Sequence, residues 1–386
     1  MPKAENPAFP LNGLIGLAKP SGPPSMVVLD RLKKLFALSE LFVPEHTLKQ
    51  ERQAYAKKFA SGSAKKGRGW KGKDAVKMGQ GGTLDPLADG VLVLGIGKGT
   101  KLLGNFLHCS KEYHTTCILG CETDTYDSEG ARVRTAPWSH ITREKVESVL
   151  ENFRGEILQT PPIYSALKMQ GKPLYEYARE GKPLPEPIKA RQARVDNIEL
   201  VGWQDAASTG EGAESSPQNP GHNFKWPTKM LGEADIKMRD EVRKLVDEAG
   251  VEDAESGNKV RLPQTQYIPE PTAPSATTEE QPTTDERIPP VFMLKMTVSS
   301  GTYVRSIVHD IGLALGSAAH VVTLTRTRQG DFSLGDENSE GNCLKWDVLE
   351  QALEKMEKGE ALDMMSGESE RSEWEKDVLE KWQSCP

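Results

Sequence analysis

A mixed α+β domain is the fold class this sequence predicts, on three observations. Phe292, Leu294, Met296 and Val298 alternate with period two, and directly after them Val304, Ile307, Val308, Ile311 and Leu315 recur at helical spacing. A second helical face, Val146, Val149, Leu150 and Phe153, follows Thr142 as a candidate cap and ends at Gly155. Two short segments, VLVLGI (91–96) and KEYHTTCIL (111–119), complete the set and are predicted as strands.

Taken in chain order, the strand at 91–96 follows GGTLDPLADG (81–90), a loop in which one acid, Asp85, stands between small residues and a proline. The strand at 111–119 continues into CILGC, and period two places the sulfurs of Cys117 and Cys121 on one face of a single strand. The helix after Thr142 and the strand-helix pair at 292–315 follow, and the sequence shows no internal repeat. Toward the end Trp346, Leu349, Leu353 and Met356 form a candidate apolar helix face.

Composition narrows the function classes. The chain has 386 residues, 37% of them hydrophobic, and no run approaches the roughly 18 apolar residues of a membrane span. The N-terminus MPKAENPAFP has an acid and no apolar core, so a soluble, unsecreted protein is expected. Five cysteines without a C-x-x-C pair suggest reduced thiols rather than a zinc site or disulfide framework.

The net charge of −7 is unevenly spread. Residues 205–288 hold 17 acids and 9 bases, and residues 336–386 hold 15 acids and 6 bases. Residues 49–77 carry 10 bases and 2 acids. A basic body with two acidic additions is therefore expected. Residues 205–288, rich in Pro, Ser, Thr and Glu, read as a mostly disordered insertion in which MRDEVRKLVDEAG forms a short helix at most. A basic insertion spans 38–76, and its segment AYAKKFASGSAKKGRGWKGKDAVKMG (54–79) reads as a solvated loop, a nuclear localisation run or an arm that neutralises nucleic-acid phosphates; its place just before the acidic loop favours the arm.

Two apparent motifs fail on spacing. GIGKGT (95–100) lacks the Gly-x4-Gly-Lys-Ser/Thr of a phosphate loop and misplaces the third glycine of a dinucleotide fingerprint. Asp85 and Asp89 as a hydrolytic carboxylate pair have no secured geometry. Asp85 itself sits where glycines permit unusual dihedrals and proline fixes the exit, so its carboxylate can be aimed; a turn aspartate bonding its own backbone is the bland alternative.

Five separated segments decide between these readings. KMGQGGTLDPLADGVLVLGIGKGTK resembles the catalytic motif of the TruB family of tRNA pseudouridine-55 synthases. LNGLIGLAKPSGPPS (11–25) is similar to that family's opening strand and Lys-Pro-x-Gly turn, and KEYHTTCILGCETDTYDSEG (111–130) to its tyrosine-bearing strand. QTPPIYSALKMQGKPLYEYAREG (159–181) resembles the Pro-Pro-x-Tyr/Phe-Ser-Ala-x-Lys segment, and SSGTYVRSIVHDIGLALGSAAHVVTLTRTRQGDF (299–332) the Gly-Thr-Tyr-x-Arg block.

The resemblance implies the pseudouridine-synthase fold, a mixed and largely antiparallel sheet with flanking helices and a central cleft, over residues 11–335. It implies isomerisation of a uridine in the tRNA T loop, with no cofactor and no metal. Asp85 matches the catalytic aspartate, acting either as nucleophile at C1′ or as base on a ribose proton, with family likeness leaning toward the base. Arg305 matches the arginine paired with it, whose fork holds a carboxylate ionised. Tyr113 matches the tyrosine that stacks on the flipped base. Tyr303 and Leu324 match apolar pocket positions, Lys19 and Pro20 a turn near the cleft, and Gln80 and Gly82 substrate-contacting positions of the aspartate motif.

Departures from the family pattern are also legible. Gln80 stands where many relatives have histidine, Asp89 where Thr or Ser is common, and residues 336–386 are acidic and helix-prone where bacterial relatives carry a β-rich RNA-binding domain. These features resemble the eukaryotic, fungal-type stand-alone form: a monomer acting on the tRNA T-arm and on similar mRNA hairpins, without a guide RNA or membrane. Nuclear and cytoplasmic residence, with a mitochondrial pool permitted, is the expectation. The rival reading is a tRNA-binding folding chaperone, against which the complete set Asp85, Tyr113 and Arg305 argues.

Overall fold

The alternating and helical patterns each find their partner within one of two compact units. The computed structural model describes residues 9–60, 72–182, 184–206, 222–232, 288–360 and 371–384. Its main strands are β1 (Gly13–Lys19), β2 (Met78–Gln80), β3 (Asp89–Ile96), β4 (Lys111–Leu119), β5 (Gly155–Gln159), β6 (Arg191–Gln204), β7 (Val291–Val298), β8 (Ala319–Gln329), β9 (Phe332–Ser333), β10 (Cys343–Leu344) and β11 (Gln383–Ser384). The helices are α1 (Ser25–Phe36), α2 (Glu45–Ala60), α3 (Leu103–His108), α4 (Arg143–Leu150), α5 (Leu174–Arg179), α6 (Val304–Ala314), α7 (Trp346–Lys358) and α8 (Glu373–Lys381). One unit comprises Met1–Lys111 and Thr325–Pro386, the other Glu112–Leu324.

In the first unit the strand order is β10-β1-β3-β8, with β2 on β3, β11 on β1 and β9 on β8. β1 and β3 pair antiparallel along their whole length, whereas β3 meets the end of β8 in parallel. Both β1 and β3 are buried almost throughout, which is why they read as continuous apolar runs rather than alternating ones. Leu14, Val91, Val93, Leu103, Phe106, Phe332 and Cys343 form one core of this unit. Close backbone approach is part of the design: a Cβ on Gly99 would collide with the Gly13 carbonyl oxygen.

The acidic tail is built into this unit. β10 and β11 extend the sheet at β1, and α7 buries Leu349, Leu353 and Met356 as the sequence pattern predicts. Trp374 of α8 stacks 5.5 Å from Phe36 at the end of α1, and Phe36 stacks 3.9 Å from Phe42. The basic insertion begins with α2, whose Tyr55 hydroxyl donates to the Met356 carbonyl at 2.9 Å. The boundary drawn at residue 336 therefore does not separate a domain from an appendage. Apolar residues spaced through an acidic segment are enough to fold it when a neighbouring helix offers aromatic surface.

In the second unit the order is β8-β4-β7-β6-β5, with β6 antiparallel to both neighbours. Thr142 caps α4 by accepting from the Lys145 amide. The regular helix stops at Leu150, and Phe153 lies in a 3₁₀ turn, so the apolar spacing outlasts the α-helical bonding by one turn. CILGC is not a single strand: Gly120 takes φ +82°, ends β4 and sends Cys121 into a separate short strand paired with Thr135. Within the 205–288 insertion, residues 222–232 are attached to this unit, the Trp226 indole donating to the Leu119 carbonyl at 2.9 Å. The expected helix MRDEVRKLVDEAG lies outside the described residues, as do 61–71 of the basic insertion.

If the tail is integral, Trp374→Ala will destabilise the protein by about 3–5 kcal/mol, the usual cost of emptying an aromatic core site. Denaturant unfolding checks this; an unchanged midpoint would mean that α8 contributes nothing to the core.

Candidate active site

The loop carrying Asp85 is positioned from below by buried polar side chains of the first unit. Lys19, at the end of β1 and 1% exposed, donates to the carbonyls of Pro20 and Ala88 at 2.7 Å each, with Pro86 O at 3.5 Å. Ser25, at the start of α1, donates to Leu84 O at 2.9 Å and accepts from Leu84 N at 3.1 Å. Ser21 Oγ donates to Leu87 O, and Gly22 N to Pro86 O. Carbonyls on both sides of Asp85 are thus held, and the half-buried Asp85 stands on a fixed tip.

Two more buried residues hold the same loop from β8. Arg326, 1% exposed, donates from Nε to Val91 O at 2.7 Å and places Nη1 3.5 Å from Thr83 O. Gln329 donates to the carbonyls of Gly81 and Phe106. Gly82 takes φ +125°, a conformation an L side chain resists, and Gly90 takes φ +99° where a Cβ would collide with the Arg326 carbonyl. Gln80 lies in β2 and reaches Thr83 Oγ1 at 3.4 Å.

Electrostatics follow from this burial. Desolvation pushes the Lys19 ammonium down to about 8, against the attraction of Asp89 and Asp85 and with the help of Arg326. A buried cation is tolerable only when its N–H groups are satisfied, so the three carbonyls and the loop geometry are one requirement.

The other sequence-identified residues lie in the second unit. Arg305, second residue of α6 and 3% exposed, donates from Nη1 to Thr125 O at 2.6 Å and from Nη2 to Tyr164 O at 3.0 Å. Its Nε stands 3.7 Å from Asp127 Oδ2. Asp127 is also buried and accepts from Thr125 Oγ1 at 2.6 Å and Glu129 N at 3.1 Å. Tyr303 immediately precedes α6, and its backbone is gripped by one amide: Gln159 Oε1 accepts from Tyr303 N at 2.7 Å and Gln159 Nε2 donates to Tyr303 O at 2.9 Å. Tyr113 on β4 and Leu324 on β8 are both buried, on neighbouring strands tied by Thr115 Oγ1 donating to Thr323 O at 2.8 Å.

The structure therefore brings Lys19, Gly82 and Asp85 into one hydrogen-bonded loop assembly, and Arg305 and Tyr303 to one helix start. Sequence reasoning missed Ser25, Arg326 and Gln329 as loop supports, and Asp127 and Gln159 as supports of Arg305 and Tyr303. Each lay inside a segment singled out for its motif, but a polar residue bonded to backbone carbonyls leaves no periodic signal. An arginine in TLTRTRQ, in particular, reads as a solvated strand residue.

The Lys19 shift has a defined sign. Between pH 8 and its ordinary 10.5 the unfolded chain binds more protons at this residue than the folded one, so its contribution to stability rises with pH in that window. The expected outcome is an NMR titration of the Lys19 Nζ with a midpoint near 8, and a rise that Lys19→Met lacks when unfolding is compared across pH. A midpoint like that of exposed lysines would contradict the burial.

Comparison with known proteins covers the Asp85 loop and α6 from Arg305 onward. The TruB family pseudouridylate synthase N-terminal domain matches residues 70–214, and the tRNA pseudouridylate synthase B C-terminal domain matches residues 305–365, reaching into the acidic tail. The chain is 38% identical to tRNA pseudouridine synthase 4 of Schizosaccharomyces pombe, over 84% of this chain and 80% of that protein. It is 35% identical to tRNA pseudouridine synthase 4 of Saccharomyces cerevisiae, over 85% and 79%. Human pseudouridylate synthase TRUB1 is 30% identical over 89% of this chain and 68% of its own. With that identity over most of both chains, and the aspartate loop and arginine helix each in place within its unit, this chain belongs to the TruB family of pseudouridylate synthases.

Proposed function

We propose that this protein converts uridine to pseudouridine at position 55 in the T loop of tRNA, acting alone, as a monomer and without a guide RNA or cofactor. The observation that carries the reading is the Asp85 loop: an acid presented on a tip whose flanking carbonyls are fixed by Lys19 and Ser25. Such fixing is what a carboxylate needs if it must meet one ribose in one orientation. The names of the fungal relatives, tRNA pseudouridine synthase 4, support tRNA as the substrate class.

In this reading the target nucleotide leaves its stack, at a cost of about a few kcal/mol, and its base lies on the Tyr113 ring between the apolar Tyr303 and Leu324 positions. Asp85 then acts on the sugar, as base or as nucleophile, and the glycosidic bond to N1 breaks. The detached base turns while stacked, since an aromatic face binds a uracil ring in either orientation. C5 then bonds to C1′, displacing the Asp85 carboxylate where it was the nucleophile, or with the abstracted proton returned to the ribose where it was the base; C5 loses its proton and N1 gains one, so the product is an isomer of the substrate. Arg305 pairs with Asp85 and keeps it ionised through the cycle. Gln80 contacts the RNA as a neutral hydrogen-bonding side chain rather than as a cation.

RNA affinity comes from neutralisation of phosphates by the basic segment 49–77. Similar hairpins in mRNA are further substrates, and the basic run takes the enzyme to the nucleus as well as the cytoplasm, with a mitochondrial pool.

Asp85→Asn is expected to bind tRNA normally and to release no tritium from C5-labelled uridine, because the amide keeps the shape and loses the anion. Residual turnover above about one hundredth of wild type would contradict the assignment, given the roughly 10²–10⁴-fold worth of a positioned acid or base. Arg305→Lys should lose most activity, having no fork; a wild-type rate would disprove the pairing. Replacing Lys57, Lys58, Lys65, Lys66 and Arg68 with glutamine should flatten the salt dependence of tRNA binding by about 0.7–0.9 for each phosphate no longer neutralised. Filter binding across a salt series measures that slope.

A further inference from the structure

We propose that the stacked pair Tyr126 and His309 is a positioning device that holds the Thr125–Asp127 turn against Arg305 and so fixes the direction of the guanidinium. The inference rests on the reading that Arg305 serves Asp85, and it goes beyond it by assigning a role to two residues outside the proposed set.

The turn and the arginine are joined on both sides of Tyr126. The carbonyl of Thr125, the residue before it, accepts from Arg305 Nη1 at 2.6 Å; Asp127, the residue after it, faces Arg305 Nε at 3.7 Å. Tyr126 therefore sits at the centre of the two contacts while its own side chain makes neither. Its backbone takes φ +62°, the left-handed region that a bulky L residue occupies only when its surroundings hold it there. What holds it is visible. The ring lies 4.0 Å from the His309 ring at an interplanar angle of 15°. The Tyr126 carbonyl accepts from Val321 N at 3.0 Å, and Asp127 bridges to Val321.

His309 stands one helical turn beyond Arg305 on α6, so the two project from the same face of the helix. It is buried, and its Nδ1 lies 3.9 Å from Glu122 Oε1. Glu122, 1% exposed on its side chain, is fixed in turn by Arg134 Nε at 2.6 Å. A continuous series runs from Arg134 through Glu122, His309 and the Tyr126 ring to the two groups that grip Arg305. Without the ring at 126 the turn loses its packing against His309, and the carbonyl and carboxylate would lose their aim at the guanidinium. Displacements of about 1 Å at such a remove can cost on the order of 10²-fold in rate, which sets the expected scale.

Single-turnover pseudouridine formation at saturating tRNA, tRNA Kd and thermal unfolding are to be measured for Tyr126→Gly, Tyr126→Phe, His309→Ala and Tyr126→Gly/His309→Ala. Glycine keeps the left-handed backbone without strain and removes only the ring. Tyr126→Gly and His309→Ala should each slow the step by about 10-fold to 100-fold with Kd within about twofold of wild type, and the double variant should be no slower than the worse single. Tyr126→Phe, which retains the stack, should restore the rate. The decisive comparison repeats Tyr126→Gly in an Arg305→Lys background, where it should cost nothing further. If it costs as much there as in wild type, or if Tyr126→Gly alone runs at the wild-type rate, the positioning role is wrong. A wild-type rate for Arg305→Lys alone would instead sink the Asp85 pairing, a different result from any of these. Should Tyr126→Gly unfold below assay temperature, His309→Ala with and without Arg305→Lys gives the same decision.

Discussion

A buried ammonium group that must satisfy its donors on backbone carbonyls is the constraint from which the Asp85 loop takes its form. Lys19 reaches its neighbour Pro20 and the distant Pro86 and Ala88, and leaving the charge without these partners would cost several kcal/mol. The strand that delivers Lys19 is β1, itself locked in register to β3 along seven residue pairs. Loop, strand and helix start are therefore one rigid assembly. Ser25, Arg326 and Gln329 repeat the device from other directions, each directed at carbonyls of the 81–91 segment.

The second unit uses the same chemistry around a different cation. Arg305 is buried at the start of α6 and directs its fork to the carbonyls of Thr125 and Tyr164, with Asp127 beside it. Gln159 grips the residue before the helix through both amide atoms. In both units a cation is oriented by main-chain oxygen atoms, which do not change with protonation and are placed by sheet and turn geometry rather than by flexible side chains. A group that has to act with one geometry benefits from such supports, because they lose no rotamer freedom when the substrate arrives.

The additions to the family pattern are less peripheral than their charge implies. The tail supplies two strands to the first unit's sheet and a tryptophan to its aromatic core, and α2 of the basic insertion is bound to α7 through Tyr55. Acidic composition describes the solvent face of these helices, while Leu349, Leu353, Met356, Trp374 and Val378 face inward. In the other insertion, Trp226 fastens residues 222–232 beside the end of β4.

The sequence by itself determined the elements with a strong period and the candidate residues of the proposed site. The alternation at 291–298, the spacing at 304–315 and the Thr142 cap each specify a local conformation, because local sterics and one buried face suffice to choose it. Asp85, Tyr113 and Arg305 were legible because they stand in ordered segments shared with a family. Tertiary structure alone decided that Gly120 would break CILGC into two strands, that the tail would complete a sheet, and that Lys19, Arg326, Gln329, Gln159 and Asp127 would be supports. Those outcomes depend on which carbonyl or ring lies across a long loop, and a hydrogen bond between residues 67 or 235 positions apart leaves no trace in local pattern.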